Sequence, residues 1–261
     1  MVGDLHGHRS LLEARLDGLQ FDPGRDRVLS VGDLIDRGPD SFGTLSLLDE
    51  PWFHAVLGNH ELALLNMLGL CAGKTSRKGI ATGTGEWIIE ALGRHRKRFH
   101  RLAARIAQLP LAIHVEGTEP FNVVHSDLHT LGGNQDALFA SGSVSVHEAE
   151  LATTSRENFG EASKSTLLSL QFAQHAVQIS ESPLSALPVT YIGHCPSRHV
   201  MVHNSYVHID QGVCMRSKTT DARLPTVLDH GAFAYWLKGA NSARTVKSAT
   251  PRAEDRHTVL A

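Results

Sequence analysis

The chain has 261 residues, 41% of them hydrophobic and 20% charged, which supplies core material for one large soluble domain. A formal charge of −2 gives no support for a nucleic-acid surface, and no stretch approaches the apolar length of a membrane span. Cys71, Cys195 and Cys214 form no CxxC, so neither a disulfide framework nor a zinc knuckle is indicated. Asp4 and His6 fall where a signal peptide would need apolar residues, and a reducing cytoplasm is the expected setting.

The first block, Gly3-Asp4-Leu5-His6-Gly7, follows only Met1 and Val2. A ligand loop of this kind normally hangs from a strand. That strand is nearly absent here, which implies either an open reading frame begun too late or a lost strand. Ser10 to Leu19 reads as a helix, with Leu11, Leu12, Leu16 and Leu19 near helical spacing, and Asp22-Pro23-Gly24 as a turn. Arg27 to Val31 is a predicted strand that delivers Gly32-Asp33-Leu34-Ile35-Asp36-Arg37-Gly38, followed by a helix over Ser41 to Leu48. Phe53 to Leu57 is the next strand and delivers Gly58-Asn59-His60-Glu61, with a Leu-rich helix from Glu61 to Leu70. The repeated strand, ligand loop and helix predict an α/β fold with its site beyond the strand ends.

Cys71 to Gly85 is glycine-rich and reads as a mobile loop over or beside the site. Trp87 to Gln108 is mostly helical, and its basic stretch, Arg94 to Arg101, reads as a solvated face. Leu111 to Val115, Phe121 to His125, Val189 to Gly193 and Ser205 to Ile209 are predicted strands of a second sheet. A polar and helical insertion interrupts it from about Asp127 to Pro188. One domain over 1–238 and a polar, disordered tail over 239–261 complete the expectation.

The blocks combine carboxylates, imidazoles and an amide, a donor set that suits Mn, Fe or Zn, with an arginine for a phosphate. Together they point to two-metal hydrolysis of a phosphate ester. Asp4 and His6, two apart on an extended segment, project to one side and can reach one metal. Asp33 can bridge two cations about 3.5–4 Å apart. Asn59 offers a neutral oxygen. His60 follows it directly, points elsewhere, and is better cast as an acid held in one tautomer by Asp36. With 17 histidines in the chain, a histidine counts as a ligand only in a motif. His125 and His194, which end predicted strands, qualify; His199, His203 and His208 are read as structural.

The order GDxHG, GDxxDRG, GNHE, a strand-ending His and a later GH resembles the phosphoprotein phosphatase group of calcineurin-like metallophosphoesterases. Within that group it is similar to the bacteriophage lambda type of Ser/Thr protein phosphatase and its bacterial relatives. The likeness runs from Val2 to about Val213 and includes Pro51 to Val56, the glycines before Trp87, Gln108-Leu109-Pro110-Leu111, and Tyr206 to Gly212. It implies a four-layer α/β/β/α sandwich with a dinuclear site at the strand ends. Asp4, His6 and Asp33 would hold the first metal, and Asp33, Asn59, His125 and His194 the second. His60 would be the general acid oriented by Asp36, and Arg37 would grip the phosphate. Arg156, in Ser155-Arg156-Glu157, resembles a second phosphate arginine. Many relatives carry an arginine directly before GNHE, where this chain has Leu57. That form also resembles symmetrical diadenosine tetraphosphate hydrolases.

The expected activity is hydrolysis of phosphate monoesters, first of phosphoserine or phosphothreonine in proteins, by direct attack of a metal-bridging hydroxide. Two divalent ions are expected, Mn²⁺ first, with Fe or Zn as alternatives. The expected partner is a phosphorylated protein or a small phosphoester, with no membrane and no nucleic acid; the oligomeric state is left open. Symmetrical diadenosine tetraphosphate hydrolysis is the alternative within the class. A non-catalytic metal- or phosphate-binding module is the alternative outside it, and the charge discourages a DNA nuclease.

Overall fold

The computed structural model describes residues 1–70, 85–127, 150, 152–165, 167–180, 188–218 and 224–249. Residues 1–228 form one unit and 229–261 a second. The expected loop over Cys71 to Gly85 falls, up to residue 84, outside the described residues.

In the first unit, β1 (Val28–Ser30) lies parallel to β2 (Phe53–Ala55), with Val28 opposite Phe53. The expected first strand is reduced to a strip one bridge long. Val2 pairs in parallel with Ser30 on one side and antiparallel with Val227 on the other. Its N–H donates to the Leu29 carbonyl at 2.9 Å, and its carbonyl accepts from Val31 at 3.1 Å. The helices are α1 (Arg9–Gly18), α2 (Ser41–Leu45), α3 (Asn59–Leu68) and α4 (Gly85–Ile106). A 3-10 turn, Ser46–Asp49, extends α2, so the predicted helix to Leu48 is helical throughout but tightens in its second half. Gly69, at φ 68°, ends α3, a left-handed position that glycine takes without a Cβ penalty. Leu12 and Leu16 of α1, Leu45, Leu62, Leu65, Phe99 and Leu102 bury into one core with Val28 and Phe53.

Among the described residues the second sheet has seven strands, in the order β3-β4-β7-β9-β8-β6-β5. They are β3 (Ala112–Val115), β4 (Phe121–Val124), β5 (Leu167–Phe172), β6 (His175–Ser180), β7 (Val189–Ile192), β8 (Val200–His203) and β9 (Tyr206–His208). The four predicted strands are all present. The insertion holds α5 (Glu157–Lys164), as its helical reading expected, but also the unforeseen hairpin β5–β6. β8 was likewise not foreseen. The α/β class and a second sheet are thus as expected, and the second sheet proves to be mixed. Parallel pairing of β4 with β7, and of β1 with β2 and Val2, brings the ends of these segments to common edges.

The second unit contains α6 (His230–Ala249), whose first turn is capped by the Asp229 carboxylate accepting from the Ala232 N–H at 2.7 Å. Of the tail expected over 239–261, residues 239–249 continue this helix, and the rest lie outside the described residues.

Candidate functional site

The parallel pairs decide where the donors fall. Asp4 follows Val2, Asp33 follows β1 and Asn59 follows β2, so all three leave strand ends on one side of the small sheet. His125 and His194 follow the parallel neighbours β4 and β7, and their ring centroids lie 5.2 Å apart. The two edges are joined by His125, whose Nδ1–H donates to the Val31 carbonyl at 2.7 Å.

The second and third blocks touch backbone to backbone. Gly32 sits at φ 95°, and a Cβ there would lie 2.8 Å from the Gly58 nitrogen, so only glycines allow this approach. Glu61 ties the blocks together. One carboxylate oxygen accepts from the N–H groups of Asp33 (2.9 Å) and Gly58 (3.2 Å), the other from Leu34 (2.8 Å) and Ile35 (3.3 Å). This support lets strained backbone persist. His6, Asp33, Asp36, Arg37 and His194 all have φ between 39° and 70°, a left-handed region uncommon for side chains with a Cβ.

Asp33 is the centre of the site. Its Oδ2 lies 3.7 Å from His6 Nε2 and its Oδ1 3.4 Å from His125 Nε2. His6 donates its Nδ1–H to the Ile35 carbonyl at 2.9 Å, as His125 does to Val31. Each neutral ring therefore turns its Nε2 lone pair toward a different oxygen of one carboxylate, and that of His6 also faces the Arg37 Nη1 donor at 3.0 Å. Burial lowers the pKa of both rings, to about 4 for His6, which keeps them neutral despite Asp33. The Asn59 amide oxygen lies 3.0 Å from His125 Nε2 and 2.9 Å from His194 Nδ1. His194 Nε2 is buried without a partner among the described residues, and burial with the nearby His125 lowers the ring's pKa to about 3. Asp4 accepts from the His194 N–H at 3.1 Å, and burial followed by the charges of Asp210 and Asp33 raises its carboxyl well above the usual range. Imidazole, amide and carboxylate acceptors that face one another, with the two carboxylates Asp4 and Asp33 close together, form a donor set that fits divalent cations. Two triplets, His6, Asp33 and His60, and Asp33, His125 and His194, have donor atoms within 4.8 Å of one another and share Asp33.

His60 stands apart from this set in its bonding. Its Nδ1 is committed to Asp36 Oδ2 at 2.6 Å, and its Nε2 lies 3.9 Å from Asp33. Burial works against its charge, but the Asp36 hydrogen bond and the Asp33 charge prevail and its pKa is raised. Asp36 also accepts at Oδ1 from the Trp87 indole at 2.8 Å. Arg37 is exposed at the rim, with Nη1 3.0 Å from His6 Nε2 and 3.6 Å from Cys214 Sγ. Arg156 is exposed at the start of α5, and its charge depresses the pKa of His194. Its neighbour Ser155 is fixed to the strand end by Ser126 Oγ at 3.1 Å and Asp127 Oδ2 at 3.3 Å.

All ten candidate residues are thus at or beside one centre. Leu57, directly before Gly58 of the third block, is 7% exposed and belongs to the main core. His203 and His208, read as structural, are buried against Ser180 and Asn158. Glu61, Trp87 and Asp210 contribute to the site and were not singled out. Glu61 was visible as the last letter of its block, whereas nothing local in the sequence marks the other two.

The fold and donor set define a metallophosphoesterase. Residues 1–139 match the family of calcineurin-like phosphoesterases, and the chain belongs to that family. It is 40% identical over 128 residues to serine/threonine-protein phosphatase 1 of Salmonella typhimurium, covering 49% of this chain and 57% of that protein. It is 33% identical over 145 residues to the symmetrical bis(5'-nucleosyl)-tetraphosphatase of Methylococcus capsulatus, covering 55% of this chain and 48% of that protein. The chain thus spans about half the length of the curated relatives it matches. A crystal structure provisionally described as a diadenosine tetraphosphatase superposes with a TM-score of 0.50 at 22% identity, over 82% of each chain, and shares the fold.

Proposed function

We propose that the chain hydrolyses phosphate monoesters, with phosphoserine or phosphothreonine in proteins as the substrate and two divalent ions, Mn²⁺ first, as the cofactor. The cytoplasm is its proposed setting. The observation that carries the reading is Asp33, whose two oxygens each face the lone pair of a different neutral imidazole. Asp4, His6 and Asp33 would hold one ion, and Asp33, Asn59, His125 and His194 the other. When bound, such a pair lowers the pKa of a water and neutralises phosphate oxygens for in-line attack.

The chain's own groups supply the rest. Arg37 and Arg156 bind the non-bridging oxygens and steady the charge that spreads over them. His60 carries its proton at Nε2 and passes it to the leaving oxygen as the phosphorus–oxygen bond breaks. Asp36 holds Nδ1–H, which fixes the tautomer and favours the protonated ring. The similarity to the tetraphosphatase supports a second reading, symmetrical cleavage of diadenosine tetraphosphate.

One metal-loaded preparation should be assayed with a phosphopeptide, p-nitrophenyl phosphate and diadenosine tetraphosphate. The phosphopeptide is expected to show the highest kcat/KM of the three. Faster turnover of the dinucleotide would replace the first reading by the second. A protein that binds metal and turns over none of them would be a binding module.

A further inference from the structure

Asp36 is the group through which the fold sets the proton donor, and it is held on both oxygens. Oδ2 accepts from His60 Nδ1 at 2.6 Å and Oδ1 from the Trp87 indole N–H at 2.8 Å, while its backbone N–H donates to Ser41 Oγ at 2.8 Å. The carboxylate is 2% exposed, so water cannot easily replace either donor. Its backbone is left-handed, at φ 70°, which puts the side chain on a short, turned stem. A carboxylate held at one oxygen alone still rotates about its terminal torsion, and the imidazole bonded to it would rotate with it.

The indole is itself fixed. Trp87 lies in the first turn of α4 and packs against the main core, with its ring 6.1 Å from the fully buried Phe99. The link Phe99, Trp87, Asp36, His60 therefore runs from a packed helix to the atom that carries the proton.

We propose that Trp87 is a positioning residue for the leaving-group proton transfer: its indole N–H locks the Asp36 carboxylate, and through it the aim of His60. The inference rests on the acid role given above to His60. Outer partners commonly orient the groups that do chemistry. Trp87 reaches His60 only through the Asp36 carboxylate and is not among the residues proposed to hold metal or phosphate, so its contribution should appear only where the leaving oxygen needs a proton.

The test compares Trp87→Phe, which keeps an apolar ring and removes the donor, with β-(3-benzothienyl)alanine in place of Trp87. The latter keeps the indole's shape and puts sulfur where the N–H stood, so it covers the case in which phenylalanine disturbs folding. Substrates are an alkyl phosphate, whose leaving group needs protonation, and p-nitrophenyl phosphate, whose leaving group does not. Both variants should lose kcat on the alkyl phosphate by roughly tenfold, a minor part of the 10²–10⁴ of a general acid. KM, bound metal and p-nitrophenyl phosphate turnover should stay near the parent's. His60→Asn is run beside them and should show the same selectivity with a larger loss.

A selective loss in His60→Asn with none in the benzothienyl variant overturns the role of Trp87 and leaves the acid in place. An unselective loss in His60→Asn overturns the acid and, with it, the positioning role. An equal loss on both substrates in the benzothienyl variant assigns the indole to packing alone.

Discussion

Replacing Glu61 by glutamine should loosen the loop that carries Asp33 while leaving every proposed metal donor in the sequence. The four N–H groups of Asp33, Gly58, Leu34 and Ile35 use both oxygens of this carboxylate, two apiece. An amide nitrogen has no free lone pair, so whichever way the glutamine turns, two buried donors lose their acceptor. Each such loss costs about 1–3 kcal/mol, or about 2–6 kcal/mol together. The neutral amide returns part of this. Burial and the adjacent Asp33 charge push the Glu61 carboxyl up, so holding it ionised against the four N–H groups is costly, and that cost disappears in the variant. A net loss of about 2–4 kcal/mol follows, which at about 2–4 °C per kcal/mol for a chain near this size lowers Tm by roughly 4–16 °C. The measurement is a thermal melt of the chelator-treated protein, with metal content determined after reloading, since a displaced Asp33 should also hold less metal. A Tm within about 2 °C of the parent and unchanged metal content would refute the view that Glu61 joins the two blocks.

Asp33→Asn should lose both metals and several orders of magnitude in turnover; a variant that keeps two metals and near-normal turnover would overturn the shared-ligand assignment. Leu57→Arg should destabilise the fold by about 3 kcal/mol or more, because it places an unpaired charge in the core. A melt and a phosphopeptide assay would check this, and a gain in turnover would refute the inward placement. Asp49 is held below the usual carboxylate range: burial opposes its charge, but Arg101 at 2.7 Å, Arg98 at 3.3 Å and Arg105 at 3.5 Å outweigh it. A lowered folded pKa gives stability that is present at neutral pH and lost as pH falls through the acid range. For these half-exposed arginines it is at most about 1 kcal/mol. The urea midpoint of Asp49→Asn should therefore lie slightly below the parent's at pH 7 and meet it under acid conditions; a constant gap would point to packing.

The three N-terminal blocks were legible because each is contiguous and the second and third follow apolar strands, so the ligand types and their carrier can be read together. His125 and His194 were legible only after those blocks had defined a chemistry. The hairpin β5–β6 was not, since its two-residue connection, Ala173-Gln174, lacks the glycine or asparagine that marks such turns, although Ala173 takes φ 48°. The placement of Leu57 was not legible for a different reason: both Val56 and Leu57 are buried beyond the end of β2, so alternation along the strand says nothing of which way residue 57 points. Trp87 and Asp36 are far apart in the chain, and a bond of that kind has no local signature.

The strip around Val2 also sets an order of events in folding. Val2 pairs with both residue 30 and residue 227, and the Gly3 N–H donates to the Thr226 carbonyl at 3.1 Å. The carboxylate two residues beyond Val2 therefore gains its second flank only when the far end of the unit has arrived. During synthesis most of the chain must leave the ribosome before Asp4 is clasped from both sides. Contacts between distant parts of a chain form late and slowly. Competence for chemistry should thus lag behind helix formation, so in a refolding experiment ellipticity should recover before turnover does.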